Sequence, residues 1–194
     1  MRAPCLLGWP RAHSAAGTMT DSHMPNPGNP RVSVILPAHN VDAYIGETLA
    51  SLHEQTEPGF EIIAVDDGST DATAAILEGW RERFAQRGRR LVVVNRAQGG
   101  AGAARNDALD RANGRLLCFV DADDRLAPTA LKTLADMLES DPSLDLVFPL
   151  CRYIDQFGHP TGVVSGKDNR SRFSARVSAL AISSLPLRSI PARG

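Results

Sequence analysis

Two acidic clusters stand where chemistry could be done. Val65-Asp66-Asp67-Gly68 closes one apolar run, and Phe119-Val120-Asp121-Ala122-Asp123-Asp124 closes another. Neighbouring residues of an extended chain point to opposite faces. Of Asp66 and Asp67, one can therefore face a ligand while the other holds the loop. Asp121 and Asp123 are two apart, and in an extended chain they point the same way. Two such carboxylates repel, and one tends to protonate unless a cation lies between them. Oxygen ligands suit a hard divalent ion, Mg²⁺ or Mn²⁺, which keeps phosphate and water in its remaining positions. The Asp121–Asp123 pattern thus reads as a site for a metal together with a diphosphate.

Two further polar segments accompany the acids. His39-Asn40 follows the run Val32 to Leu36, and Gly99-Gly100-Ala101-Gly102 lies just ahead of Arg105. Taken singly, each segment has a plain structural explanation as a turn, a helix-start charge bias or a loop. The argument for a site rests on their meeting at one edge of one sheet.

The elements around them predict that meeting. Val32 to Leu36, Phe60 to Val65, Leu91 to Val94, Leu116 to Val120 and Leu144 to Leu150 are continuous apolar runs, as strands covered on both faces require. Between them lie helical stripes. Ile45, Leu49 and Leu52 recur at helical spacing. A helix is expected over about 71–87, with Ile76, Leu77, Trp80 and Phe84 inward and Ser69 or Asp71 as its cap. Ala103 to Ala112, ended by Asn113-Gly114, forms a third helix, and Pro128 to about Ser140 a fourth. Tyr153-Ile154 reads as a strand entering the turn Gln156 to Pro160. Strands alternating with helices predict an α/β fold with a mostly parallel, helix-flanked sheet. Ligands of such sheets bind beyond the carboxyl ends of the strands, and all four polar segments follow strands.

Other motifs are absent. Pro37-Ala38-His39-Asn40 stands where a dinucleotide fingerprint would follow the first strand, and Gly100-Ala101-Gly102 lacks the third glycine. There is no P-loop and no G-x-S-x-G elbow.

VSVILPAHN at 32–40, VDDGSTD at 65–71, GGAGAARN at 99–106 and FVDADD at 119–124 together resemble family 2 glycosyltransferases of the GT-A fold. The motifs occur in the family's order, and the resemblance covers about residues 31–160. It implies a Rossmann-like sheet and transfer of a sugar from a nucleotide diphosphate sugar to an acceptor hydroxyl, with inversion and with Mn²⁺ or Mg²⁺. It implies that Pro37, His39 and Asn40 line the nucleobase pocket. Asp66 would bond the base with Asp67 in support, Arg105 would sit near the nucleotide, and Asp121 would lie by the ribose and sugar. Asp123 would be the metal ligand. The implied acceptor is a glycan or a lipid-linked hydroxyl, which leaves peripheral membrane association open.

Two features depart from that pattern. His39 stands where the family often has Tyr. The family's base is an Asp or Glu, commonly in a Glu-Asp pair well beyond the second acidic motif, yet after Asp155 the only acidic residue is Asp168. No catalytic base is therefore assigned. A nucleotide-sugar-binding fragment without turnover is one alternative. A phospho-accepting receiver-like or Asp-x-Asp phosphatase domain is another, but a receiver needs a lysine at a later strand end. Lys132 falls inside an expected helix, and Lys167 in a stretch without periodicity.

Composition bounds the rest. The 194 residues suit one α/β domain. A net charge of −1 and 5% aromatics offer no footprint for nucleic acid. Of 21 basic residues only Lys132 and Lys167 are lysines, a bias read as codon usage. Cys5, Cys118 and Cys151 lack disulfide or zinc spacing. No stretch approaches a membrane span, and Cys5 to Trp9 is too short for a signal-peptide core. The expected location is cytoplasmic. Residues 1–30, broken by five prolines, read as a flexible leader, 31–164 as the nucleotide-sugar-binding domain, and 165–194 as an irregular tail whose loss of periodicity fits a truncation or a frameshifted read-through of a longer gene.

Overall fold

The computed structural model describes residues 29–155, 159–164 and 181–183. The expected leader, the turn at 156–158, Lys167, Asp168 and most of the expected tail lie outside them.

Among the described residues eight strands and four helices follow one another: β1 Val32–Ala38, α1 Asp42–His53, β2 Phe60–Asp67, α2 Thr73–Ala85, β3 Arg90–Arg96, α3 Ala101–Leu109, β4 Leu116–Phe119, α4 Ala130–Ser140, β5 Leu146–Val147, β6 Arg152–Ile154, β7 Pro160–Val164 and β8 Ala181–Ser183. The main sheet has the order β3-β2-β1-β4-β8-β5, and β6 and β7 form a separate hairpin. The first four strands are parallel, with Val34 level with Ile62 and Cys118. β8 closes the sheet by pairing antiparallel with β4 and β5. The expected α/β fold with a mostly parallel sheet is thus the observed one.

Apolar runs become strands here because both faces are covered. One face packs Val34, Leu36, Ile62 and Ala64 under α1, α2 and α4. The other packs Ile35, Ile63, Val65 and Leu117 against Ala104 and Ala108, small residues one turn apart that let α3 lie close. Every residue of β2 is buried. Each fully buried Ile or Leu contributes roughly 1.5–3 kcal/mol relative to exposure. Leu131, Leu134, Ala135 and Leu138 give α4 the helical stripe that seats it.

Several boundaries differ from the sequence reading. The run Leu144 to Leu150 yields only Leu146–Val147 as strand. Pro149 cannot donate to a ladder, and Phe148 and Leu150 are exposed. α3 stops at Leu109 because its end tightens, with Arg111 and Ala112 donating to carbonyls three residues back. Pro128 stands two residues ahead of α4. Within 165–194, where no element is legible, β8 occupies 181–183. Cys118 is fully buried, and burial pushes its thiol pKa up.

Strand order reverses beside β1, whose neighbours are β2 on one side and β4 on the other. The crevice outside the carboxyl ends at such a reversal is where open α/β sheets bind ligands.

Candidate functional site

The segment after β2 divides its two carboxylates. Asp67 faces the glycine loop. Its Oδ1 accepts from Arg96 Nη1 at 2.6 Å and the Gly99 N–H at 2.9 Å, and its Oδ2 accepts from the Gly100 N–H at 2.6 Å. Burial pushes the Asp67 pKa up, but these N–H groups and the Arg96 guanidinium outweigh it, and the net shift is downward. Arg96 also ion-pairs Asp107 of α3 at 2.8 Å, so one guanidinium joins the two segments. The loop crosses close over Gly68. At φ 72° Gly68 has left-handed backbone, and a Cβ there would lie 2.7 Å from the Gln98 nitrogen.

Asp66 is different. It is 4% exposed. Its Oδ2 accepts weakly from the Ser69 N–H at 3.3 Å, while its Oδ1 is buried with no partner. A buried carboxylate oxygen without a donor is rare and costly.

The segment after β1 is stitched to the one after β2. Asn40 adopts φ 49°, and its Oδ1 accepts from the Thr70 N–H at 2.8 Å. Its own N–H donates to Ser69 Oγ, and the Val41 N–H donates to Thr73 Oγ1. Asp71 Oδ1 accepts from the Thr73 N–H and its Oδ2 from the Asp42 N–H. Asp71 thus serves the first turns of both helices, but the cap of α2 is Ala72 and not Asp71 or Ser69, whose hydroxyl is used by Asn40. His39 is half-buried with both ring nitrogens engaged. Nδ1 lies 2.9 Å from the Asp67 carbonyl, which can only accept, so Nδ1 carries the proton. Nε2 then accepts from the side-chain amides of Asn40 at 3.2 Å and Gln98 at 3.1 Å.

The acidic segment after β4 corrects the extended geometry expected of it. Asp121 to Asp124 is a turn closed by the Asp124 N–H donating to the Asp121 carbonyl at 3.0 Å. Buried Ala122 turns inward, leaving Asp121 half-buried and Asp123 exposed. The cation beside Asp121 is Arg105, whose Nη2 meets Oδ1 at 2.8 Å.

These segments enclose a cleft of about 200 Å³, lined by Pro37, His39, Asp67, Arg105, Asp121 and Asp123 among others. Asp66, at the end of β2, and Asn40, which staples the segments after β1 and β2, are not among the residues that line it. Among the described residues no group of three or more His, Cys, Asp or Glu could hold a metal alone. An ion would fit here only as one shared with a ligand's oxygens, with Asp123 as the free carboxylate. Sequence reasoning missed Arg96 and Gln98, whose only signal is proximity to the glycine run. It also missed Thr48, Ser51 and Gln55 of α1 and the turn after it, which bond the backbone after β4. A receiver-like reading finds no support, since Lys132 pairs with Asp136 on the outside of α4.

The chain is similar to known proteins in sequence and in fold. The family profile described as Glycosyl transferase family 2 matches residues 33–178. The poly(ribitol-phosphate) beta-glucosyltransferase of Bacillus spizizenii is 40% identical over 52% of this chain and 16% of its own length. A crystal structure of S. aureus TarS in complex with UDP-GlcNAc superposes with a TM-score of 0.54 at 38% identity, covering 60% of this chain and 33% of that one. Mannosyltransferase PcManGT from Pyrobaculum calidifontis, in complex with GDP-Man and Mn²⁺, gives 0.53 at 32% identity, covering 63% and 36%. The chain thus spans about a third or less of these proteins. The architecture is the GT-A fold of these structural neighbours.

Proposed function

This chain belongs to glycosyltransferase family 2, and on that premise we propose that it carries the donor half of an enzyme transferring a sugar from a nucleotide diphosphate sugar to an acceptor hydroxyl. The observation that carries the reading is the unpartnered Asp66 Oδ1, buried at the end of β2 next to Asp67, which lines the cleft. A nucleobase N–H supplies the donor this oxygen lacks. Pro37 and His39 wall the base, and Asp67 holds the glycine loop in place. Arg105 sits near the nucleotide, while Asp121, its ion-pair partner, lies by the ribose and sugar. Asp123 is the residue that would hold Mn²⁺ or Mg²⁺. Such an ion, when bound, neutralises the charge that develops on the leaving nucleoside diphosphate.

Transfer is read as inverting, so the acceptor hydroxyl attacks opposite the leaving group and loses its proton to a base. No described residue is assigned that role. The acceptor is read as a hydroxyl of a glycan or a lipid-linked intermediate, in line with the polymer acceptor named for the Bacillus relative. Among the described residues no helix is long and apolar enough to cross a membrane. The proposed setting is cytoplasmic, with membrane contact through a lipid acceptor.

Calorimetric titration of the whole chain with UDP, GDP, TDP and CDP, with and without Mn²⁺, tests the reading. One nucleotide is expected to bind in a metal-dependent way, and Asp123→Asn to lose that dependence. A folded chain that binds none of the four overturns the donor site.

A further inference from the structure

The turn carrying Asp121 and Asp123 owes its shape to α1. Thr48 is 1% exposed, and its hydroxyl donates to the Ala122 carbonyl at 2.8 Å. Ser51 Oγ accepts from the Leu126 N–H at 3.1 Å while donating to the Thr48 carbonyl. Gln55 is 2% exposed. Its Nε2 donates to the Ala127 carbonyl at 2.8 Å, and its Oε1 accepts from the Leu131 N–H at 3.0 Å. The Thr56 N–H donates to the Pro128 carbonyl at 2.8 Å. Residues 122–131 are therefore gripped along their length by side chains and backbone of one helix and the turn after it.

The bond from Thr48 is the one that bears on the carboxylates. The Ala122 carbonyl belongs to the planar peptide unit whose N–H is that of Asp123. Fixing this plane fixes the backbone on both sides of it. Asp121 precedes it in the same closed turn, and Asp123 follows with only its own φ and side-chain torsions free. We propose that Thr48, supported by Ser51, is a positioning residue that sets the direction of Asp123 relative to Asp121 and thereby the cation affinity of the nucleotide complex. The inference rests on the donor-site reading above. It assigns Thr48 no contact with the ligand.

The test measures the gain in nucleoside diphosphate affinity on adding Mn²⁺, for the whole chain and its variants, beside the melting temperature of each. Thr48→Val keeps the shape and removes the hydroxyl. It is expected to cut the Mn²⁺-dependent gain by about tenfold, as loss of one buried hydrogen bond implies, with little change in affinity without metal. Thr48→Ser restores the hydroxyl and is expected to restore the gain. A merely structural role lowers the melting temperature but leaves the gain of the folded protein unchanged, and that result overturns the proposal. If Thr48→Val does not fold, Ser51→Ala is judged by the same gain. A folded wild-type chain that binds none of the nucleotides removes the donor-site reading and this inference together, and one that binds without a Mn²⁺-dependent gain removes only this inference. A wild-type gain that survives both substitutions removes only this inference.

Discussion

At the amino end of the sheet, Glu61 is 2% exposed and fully matched. Its Oε1 accepts from Ser33 Oγ and the Asn113 N–H, each at 2.7 Å, and Arg90 ion-pairs Oε2 at 3.3 Å. Beside it Arg31 binds Glu57, Asp136 and Glu139, each at 2.7 Å. At the carboxyl end, Asp67 is matched as thoroughly, but Asp66 keeps one buried oxygen with no donor and Asp123 faces the cleft unburied. The two ends share residue types and burial and differ in what is left over. Closed polar networks hold a fold together; an incomplete one beside a cleft marks where a ligand completes it.

The strongest way to break this contrast is to neutralise Asp66. Asp66→Ala is expected to weaken nucleotide binding about hundredfold, ~2.7 kcal/mol, because a site built around one hydrogen bond loses it outright. Its folding stability should hold or rise, since an unpaired buried acceptor is removed. A calorimetric affinity within a few fold of wild type would show that the spare oxygen is not a ligand's partner.

Glu61→Gln should do the reverse. One amide cannot satisfy the same donors and also pair Arg90, so urea unfolding is expected to show a loss of about 2 kcal/mol. Nucleotide affinity of the folded variant should stay put. A shift in affinity comparable to that of Asp66→Ala would erase the distinction between the ends.

The smallest effect sharpens the contrast through pH. Asp67 and Asp136 both have pKa values below the ordinary 3.8, Asp67 despite its burial and Asp136 through hydrogen bonds from Lys132 and Arg31. Folded chains therefore bind fewer protons here than unfolded ones. The resulting stability is fully present above the ordinary value and is lost as pH falls through the lowered ones. The pairs of Asp136 are exposed and screened by salt, whereas those of Asp67 are enclosed. Acid unfolding curves at low and high salt should differ less for Asp136→Asn than for wild type, while Asp67→Asn keeps the wild-type salt response. Equal salt responses in the two variants would contradict this assignment.

The sheet was legible because its strands are buried on both faces, so Val32 to Leu36 and Phe60 to Val65 read as unbroken apolar runs. The acidic and glycine segments were legible because they interrupt those runs at their ends. Thr48, Ser51 and Gln55 were not. Their partners lie more than 70 residues away, and polar residues on a helix ordinarily read as its solvent side. The turn at Asp121 was misread as extended because nothing local announces the Asp124-to-Asp121 bond. β8 was missed because three residues are too few to show a period.

α1 is tied to the segments that follow both β2 and β4. Its first residue is tied to Asp71, and its body grips the backbone at Ala122 and Leu126. Local opening elsewhere in proteins follows units bound by shared contacts. Here the helix and the two loops form one such unit, so the amide protons of Asp42, Thr73 and Leu126 should exchange with solvent together. The cleft then does not fray loop by loop: its opening is an all-or-none event set by how long α1 stays docked.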